Sequence, residues 1–129
     1  MATNIAQYYS EEMVDWNDAI TFYEEEIDDL QNKLLDVIRR NSIVDIAKKV
    51  GDHQILLNQV AERFRKLQYR IEQQESELKI DSSLVDNILI NNTIETTQAE
   101  LRREMYTIEK EYIDVKFDCY HFLSETLKK

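Results

Sequence analysis

Proline is absent from this 129-residue chain, and glycine occurs once, at position 51. These two residues punctuate sheets and tight turns. Their scarcity argues against a β-rich fold and against a glycine-rich loop that cradles phosphate. Cysteine is as scarce: Cys119 stands alone, which excludes an intrachain disulfide and gives no sign of an oxidising compartment. No window approaches 18 consecutive apolar residues, so no segment has the makings of a membrane span. The opening Met-Ala-Thr-Asn-Ile-Ala-Gln lacks the basic start and apolar run of a secretory leader. The expectation is a cytoplasmic protein.

Cations are missing from one long stretch. Between Met1 and Gln31 there is no Lys or Arg, while Glu11, Glu12, Asp15, Asp18, Glu24, Glu25, Glu26, Asp28 and Asp29 all fall there. Over the whole chain 26 acidic residues oppose 16 basic ones, for a formal charge of −10. Such a balance disfavours nucleic acid, whose backbone needs a concentrated cationic surface. An anionic membrane surface repels the chain for the same reason. The local basic clusters, at Arg39 and Arg40, Lys48 and Lys49, and Arg63 to Arg70, are expected to pair with acids on neighbouring helices.

What the chain does have is apolar residues, 43% of the total, spaced by alternating steps of three and four. One series runs Ile43, Ile46, Val50, His53, Leu57, Val60, Phe64, Leu67, Ile71, Gln74 and Leu78 with no slip in phase. That spacing sets every member on one seam of an α-helix, as in a coiled coil. A break at Gly51 would shift the phase, and no shift occurs. The spacing predicts one helix over about 43–79, roughly 55 Å long at about 1.5 Å per residue.

A first helix over about 10–40 carries the seam Met13, Trp16, Ile20, Tyr23, Ile27, Leu30, Leu34 and Val37, with Ser10 as its cap. If the chain reverses near Asn41, Val37 faces Ile43, Leu34 faces Ile46, Leu30 faces Val50, Ile27 faces His53 and Trp16 faces Phe64, as in an antiparallel pair. Residues 80–92 break the pattern and are expected to form a short helical or irregular crossover. A third helix over about 93–127 shows the seam Ile94, Leu101, Met105, Ile108, Tyr112, Val115, Cys119 and Phe122. Tyr106, Ile113, Tyr120 and Leu127 recur every seven residues beside it, as a second contact row would. The predicted fold is all-α: a single-domain antiparallel three-helix bundle with coiled-coil-like heptad packing.

Catalytic chemistry finds little purchase on these seams. A dinuclear carboxylate site needs inward Glu residues and paired Glu-x-x-His motifs. Here His53 is preceded three residues earlier by Val50 and His121 by Asp118. Cys119 and His121 are two positions apart and point to different helical faces. No enzyme activity, cofactor or metal is expected. Two polar residues, His53 and Gln74, occupy seam positions as candidate buried polar groups, and such groups set helix register.

The apolar residues left over are more suggestive. Phe22, Leu35, Ile55, Leu56, Tyr69 and Phe117 lie off the main seams and form the candidate interface, since uncovered apolar side chains on a bundle commonly meet another subunit. The expected role is a non-enzymatic protein–protein interaction or scaffold module, homodimeric, with no nucleic-acid or membrane partner. The alternative is a small-molecule or cofactor binder with a cavity near His53, Tyr23 and Trp16.

The stretch Lys49-Val50-Gly51-Asp52-His53-Gln54-Ile55-Leu56-Leu57, with heptads on to Leu78 and a Trp on the first helix's seam, resembles the middle helix of a spectrin-type repeat. The resemblance covers about a third of the chain. It implies three-helix architecture and carries no function with it.

Overall fold

Heptads of this length fold into helices that bury their seams against one another, and the computed structural model does so over the residues it describes, 5–40, 43–85 and 92–127. They form α1 (Ile5–Arg40), α2 (Val44–Val85) and α3 (Asn92–Leu127), with no strand among them. The architecture is an all-α three-helix bundle.

The helix ends differ from expectation in two places. α1 begins at Ile5, not near Ser10. Nothing before Ser10 breaks a helix, and the buried Ala6 gives the first turn its own core contact. α2 runs unbroken through Gly51, as its phase requires, and then continues past 79 to Val85, because no Pro or Gly interrupts it. Residues 80–85 therefore belong to α2, and residues 86–91 of the expected crossover lie outside the described ones. At its start, Ala47 N donates to Ile43 O at 3.2 Å.

The chain divides into two compact units, each with a segment of all three helices. The first comprises Met1–Thr21 and Phe64–Thr107. Its core holds Met13, Ile20, Phe64, Leu67, Ile71, Leu101 and Met105. The second comprises Phe22–Arg63 and Ile108–Lys129, with Ile27, Leu30, Leu34, Val37, Val50, Leu57, Tyr112 and Cys119 inside. In each unit cross-helix bonds give the directions: α1 runs parallel to α3, and α2 antiparallel to α3. In the first unit Arg70 meets Glu100 and Gln74 meets Ile94, while Gln98 meets Tyr9 and Arg102 meets Glu12; in the second, Arg63 meets Glu111 and His53 stacks on Phe122, while Tyr23 meets Glu109 and Glu26 meets Tyr112.

Three seam assignments change in detail. Ile43 is exposed, so the layer expected against Val37 does not close, although Val37 itself is fully buried. Leu123 joins the α3 core beside a half-buried Phe122. The supposed second contact row of α3 is not buried: Tyr106, Ile113 and Tyr120 are exposed. The side chain of Leu127, its fourth member, is outside the described set.

Candidate functional site

In the first unit the apolar core is interrupted by a polar layer. Gln74 on α2 and Gln98 on α3 are both buried. The Gln74 amide nitrogen donates to the Ile94 carbonyl at 2.8 Å and to Gln98 Oε1 at 3.1 Å. Gln98 in turn donates to Glu12 Oε1 at 2.9 Å, and Arg102 grips both oxygens of Glu12 at 2.6 and 2.8 Å. Burial works against the Glu12 carboxylate, yet the bonds from Arg102 and Gln98 hold its pKa below the ordinary value. The layer links α1, α2 and α3 through these bonds, and a buried polar network of this kind favours one helix register over others. Beside it a cleft of about 630 Å³ is lined by Arg70, Gln73, Gln74, Glu77, Thr93, Ile94 and Thr97.

The second unit joins α1 to α3 through two phenol–carboxylate bonds. Tyr23 donates to Glu109 at 2.6 Å, and Tyr112 donates to Glu26 at 2.7 Å. The two rings lie 5.0 Å apart, and Lys116 closes on Glu26 at 2.8 Å. Burial, reinforced by the hydrogen bond to Glu109, pushes the Tyr23 phenol up to about 12. Burial and then Glu26 push Tyr112 upward too. Raised phenol pKa values suit neutral donors that hold helices together, and they do not suit general bases at neutral pH.

The six candidate interface residues, Phe22, Leu35, Ile55, Leu56, Tyr69 and Phe117, are all exposed. Tyr69 belongs to the first unit and accepts a bond from Gln73 at 3.3 Å. The other five belong to the second unit, on different flanks. Leu35 is on α1, one turn beyond Gln31, which bonds Asn58 of α2 at 2.9 Å. Leu56 lines a groove of about 340 Å³ between α2 and α3 with Val60, Arg63, Glu111 and Val115, and Ile55 lines a shallow cleft with Asn58 and Glu62.

Phe22 and Phe117 fall on one flank. On α3, Ile113, Phe117 and Tyr120 follow the i, i+4, i+7 rule that places side chains on one face. They are 44%, 66% and 38% exposed. This face borders α1, because Lys116 reaches Glu26 and the Lys33 ammonium lies 5.8 Å from the centre of the Tyr120 ring. On α1, Phe22 sits one turn before Glu26 and is 55% exposed. The sequence reads Ile113 and Tyr120 as part of a buried contact row because their period suits a buried row as well as an outer one.

His53 is half-buried and stacks on Phe122 with ring centres 4.9 Å apart. Its buried Nδ1 has no hydrogen-bond partner among the described residues. Cys119 is buried, and burial raises its thiol to about 11 against a small opposing pull from Lys33, the condition of an inert cysteine. Among the described residues no three His, Cys, Asp or Glu side chains gather where they could hold a metal ion, and no helix is long and apolar enough to cross a membrane.

Comparison with protein-family models, with curated proteins and with solved structures finds no match to the chain.

Proposed function

We propose that the chain is a non-enzymatic protein–protein interaction module and that its working surface is the α1/α3 flank of the second unit. The observation that carries this reading is the exposed stripe Ile113, Phe117 and Tyr120, flanked by Phe22. A bundle that has already buried its heptad seams gains nothing for its own stability from aromatic side chains left in water. Such a patch, bordered by charge, is how a binding surface is usually built. The experiment is capture by the immobilised 129-residue chain, comparing it with Phe117→Asp and Phe22→Asp. Both positions are exposed, so each variant should keep its fold, with surface changes worth about 0.5 kcal/mol or less. Specific binding lost in both variants supports the reading, and binding that persists in both overturns it.

A second reading, a small-molecule binder centred on His53, is favoured by the unpartnered Nδ1. Native mass spectrometry of freshly purified protein separates the two, since a retained small molecule lost in His53→Ala would support the second.

A further inference from the structure

The polar layer of the first unit fixes which way each of its amides faces. Gln98 donates through its nitrogen to Glu12 Oε1 at 2.9 Å and to the Tyr9 carbonyl at 3.4 Å. An ionised carboxylate and a carbonyl only accept, so Gln98 turns its oxygen toward α2. Gln74 must then offer nitrogen. It uses both amide hydrogens, one on Gln98 Oε1 at 3.1 Å and one on the Ile94 carbonyl at 2.8 Å. Gln74 Oε1 is left over. No hydrogen bond among the described residues reaches it, although Gln74 is only 4% exposed. Among the described residues, His53 Nδ1 is the one unpartnered side-chain atom sealed from solvent. The Gln74 oxygen therefore opens onto the cleft of about 630 Å³ that Gln74 lines.

The rest of that cleft favours a donor as well. Glu77 lies one turn beyond Gln74 and is exposed, with no ion pair or hydrogen bond among the described residues. Thr93 and Thr97, one turn apart on α3, contribute hydroxyls that are equally unengaged there. The one cation in the lining, Arg70, is held by Glu100 and Glu104, so it and its partners carry net negative charge. Lys66, Lys79 and Arg103 are near in sequence but do not line the cleft.

We propose that this cleft binds a small alkylammonium compound, with its N–H donors on Gln74 Oε1 and the Glu77 carboxylate. An ammonium group carries donors and no acceptor, which is what an oxygen held in one orientation requires. An anion would meet an acceptor and a carboxylate where it needs donors, and Arg70 is already engaged. A calcium ion takes six to eight oxygen ligands, with several carboxylates among them, and the described residues gather no such group. A neutral alcohol would gain the bond to Gln74 without the attraction of Glu77. The net charge of −10 draws cations toward the chain. The cleft belongs to the first unit, so the proposal is independent of the interaction surface in the second.

The test is titration of the isotope-labelled 129-residue chain with diaminobutane at neutral pH, followed by NMR at the side-chain amide signals of Gln74. The expected result is a saturable shift of those signals, with a dissociation constant of about 1 mM or below. Glu77→Gln should weaken binding by at least about tenfold, the usual loss when a hydrogen bond to a charged group is removed. Glu25→Gln, at another exposed acid but in the second unit, should leave binding unchanged, which separates a site from general attraction to an acidic chain. Both positions are exposed, so neither variant should lose its fold. Butanediol, of the same length and without charge, should bind at least about tenfold more weakly than diaminobutane. Saturable binding that falls in Glu77→Gln and not in Glu25→Gln supports the proposal. No shift up to about 10 mM, no loss in Glu77→Gln, an equal loss in both variants, or equal binding of the diol overturns it.

Discussion

The side-chain amide of Gln74 donates to Gln98 Oε1 across 3.1 Å, with both residues buried in the first unit. Each glutamine also serves another helix partner, Gln74 the Ile94 carbonyl and Gln98 the Glu12 carboxylate. Removing one therefore leaves buried polar atoms without their bonds. Gln98→Leu or Gln74→Leu should each cost about 1–3 kcal/mol, the typical penalty for an orphaned buried group. The two losses should not add, because contacting residues in one network couple by about 0.5–3 kcal/mol. Urea unfolding of the four proteins in that cycle gives the coupling. Strict additivity would mean that the two amides do not share a bond.

The same pair shows where the sequence was legible and where it was not. Gln74 stands out because the α2 seam has no gap, and a polar residue in an unbroken apolar series is conspicuous. Gln98 does not, because the apolar residues of α3 form a series that passes over it. The only trace of it was the seven-residue step from Ile94 to Leu101, which a position at 98 divides into four and three. Periodicity says which side chains share a face, and it says nothing of whether that face is covered. Ile43 keeps perfect phase yet is exposed, because it precedes the first residue of α2. Ile113 and Tyr120 keep phase with Tyr106 and are exposed as well. The bundle was therefore readable from spacing. The outer stripe required knowing that α1 and α2 leave that side of α3 open.

Gly51 lies in mid-helix, and a Cβ built there meets nothing within 4 Å. Its backbone is already helical, so the glycine contributes only extra freedom to the unfolded chain. Gly51→Ala should stabilise the protein by about 0.5–1 kcal/mol, seen as a higher urea midpoint with an unchanged slope. A lower midpoint would show that the position needs a conformation or a close approach that alanine denies.

Alkaline pH should weaken the second unit. Folding raises the Tyr23 phenol from 10.0 to about 12, raises Tyr112 in the same direction, and raises the Cys119 thiol from 9.0 to about 11. In each case the fold prefers the protonated form. The stability from that preference is fully present below the unfolded pKa and is lost as pH rises through the folded one. Urea midpoints should thus fall from about pH 9 to about pH 12 as the unfolded state releases protons first. Tyr23→Phe should flatten the part of that fall between pH 10 and 12, since it removes one of the shifted groups. An identical profile in the variant would place the pH sensitivity elsewhere.

His53 offers the sharpest test of the second unit's interior. Its ring stacks on Phe122, and the buried Nδ1 lacks a hydrogen-bond partner among the described residues. A phenyl ring at this position keeps the stacking and removes the unsatisfied nitrogen. An orphaned buried polar atom costs about 1–3 kcal/mol, so His53→Phe should raise stability by roughly 1 kcal/mol once the tighter fit of the larger ring is set against it. His53→Ala should lower stability instead, because it loses the ring and leaves a cavity. Thermal melts of the two variants beside the parent check both signs. A His53→Phe protein less stable than the parent would mean either that the larger ring overpacks the site or that Nδ1 is bonded in solution. Only retention of a small molecule by the parent in native mass spectrometry would turn the second outcome toward the ligand-binding reading.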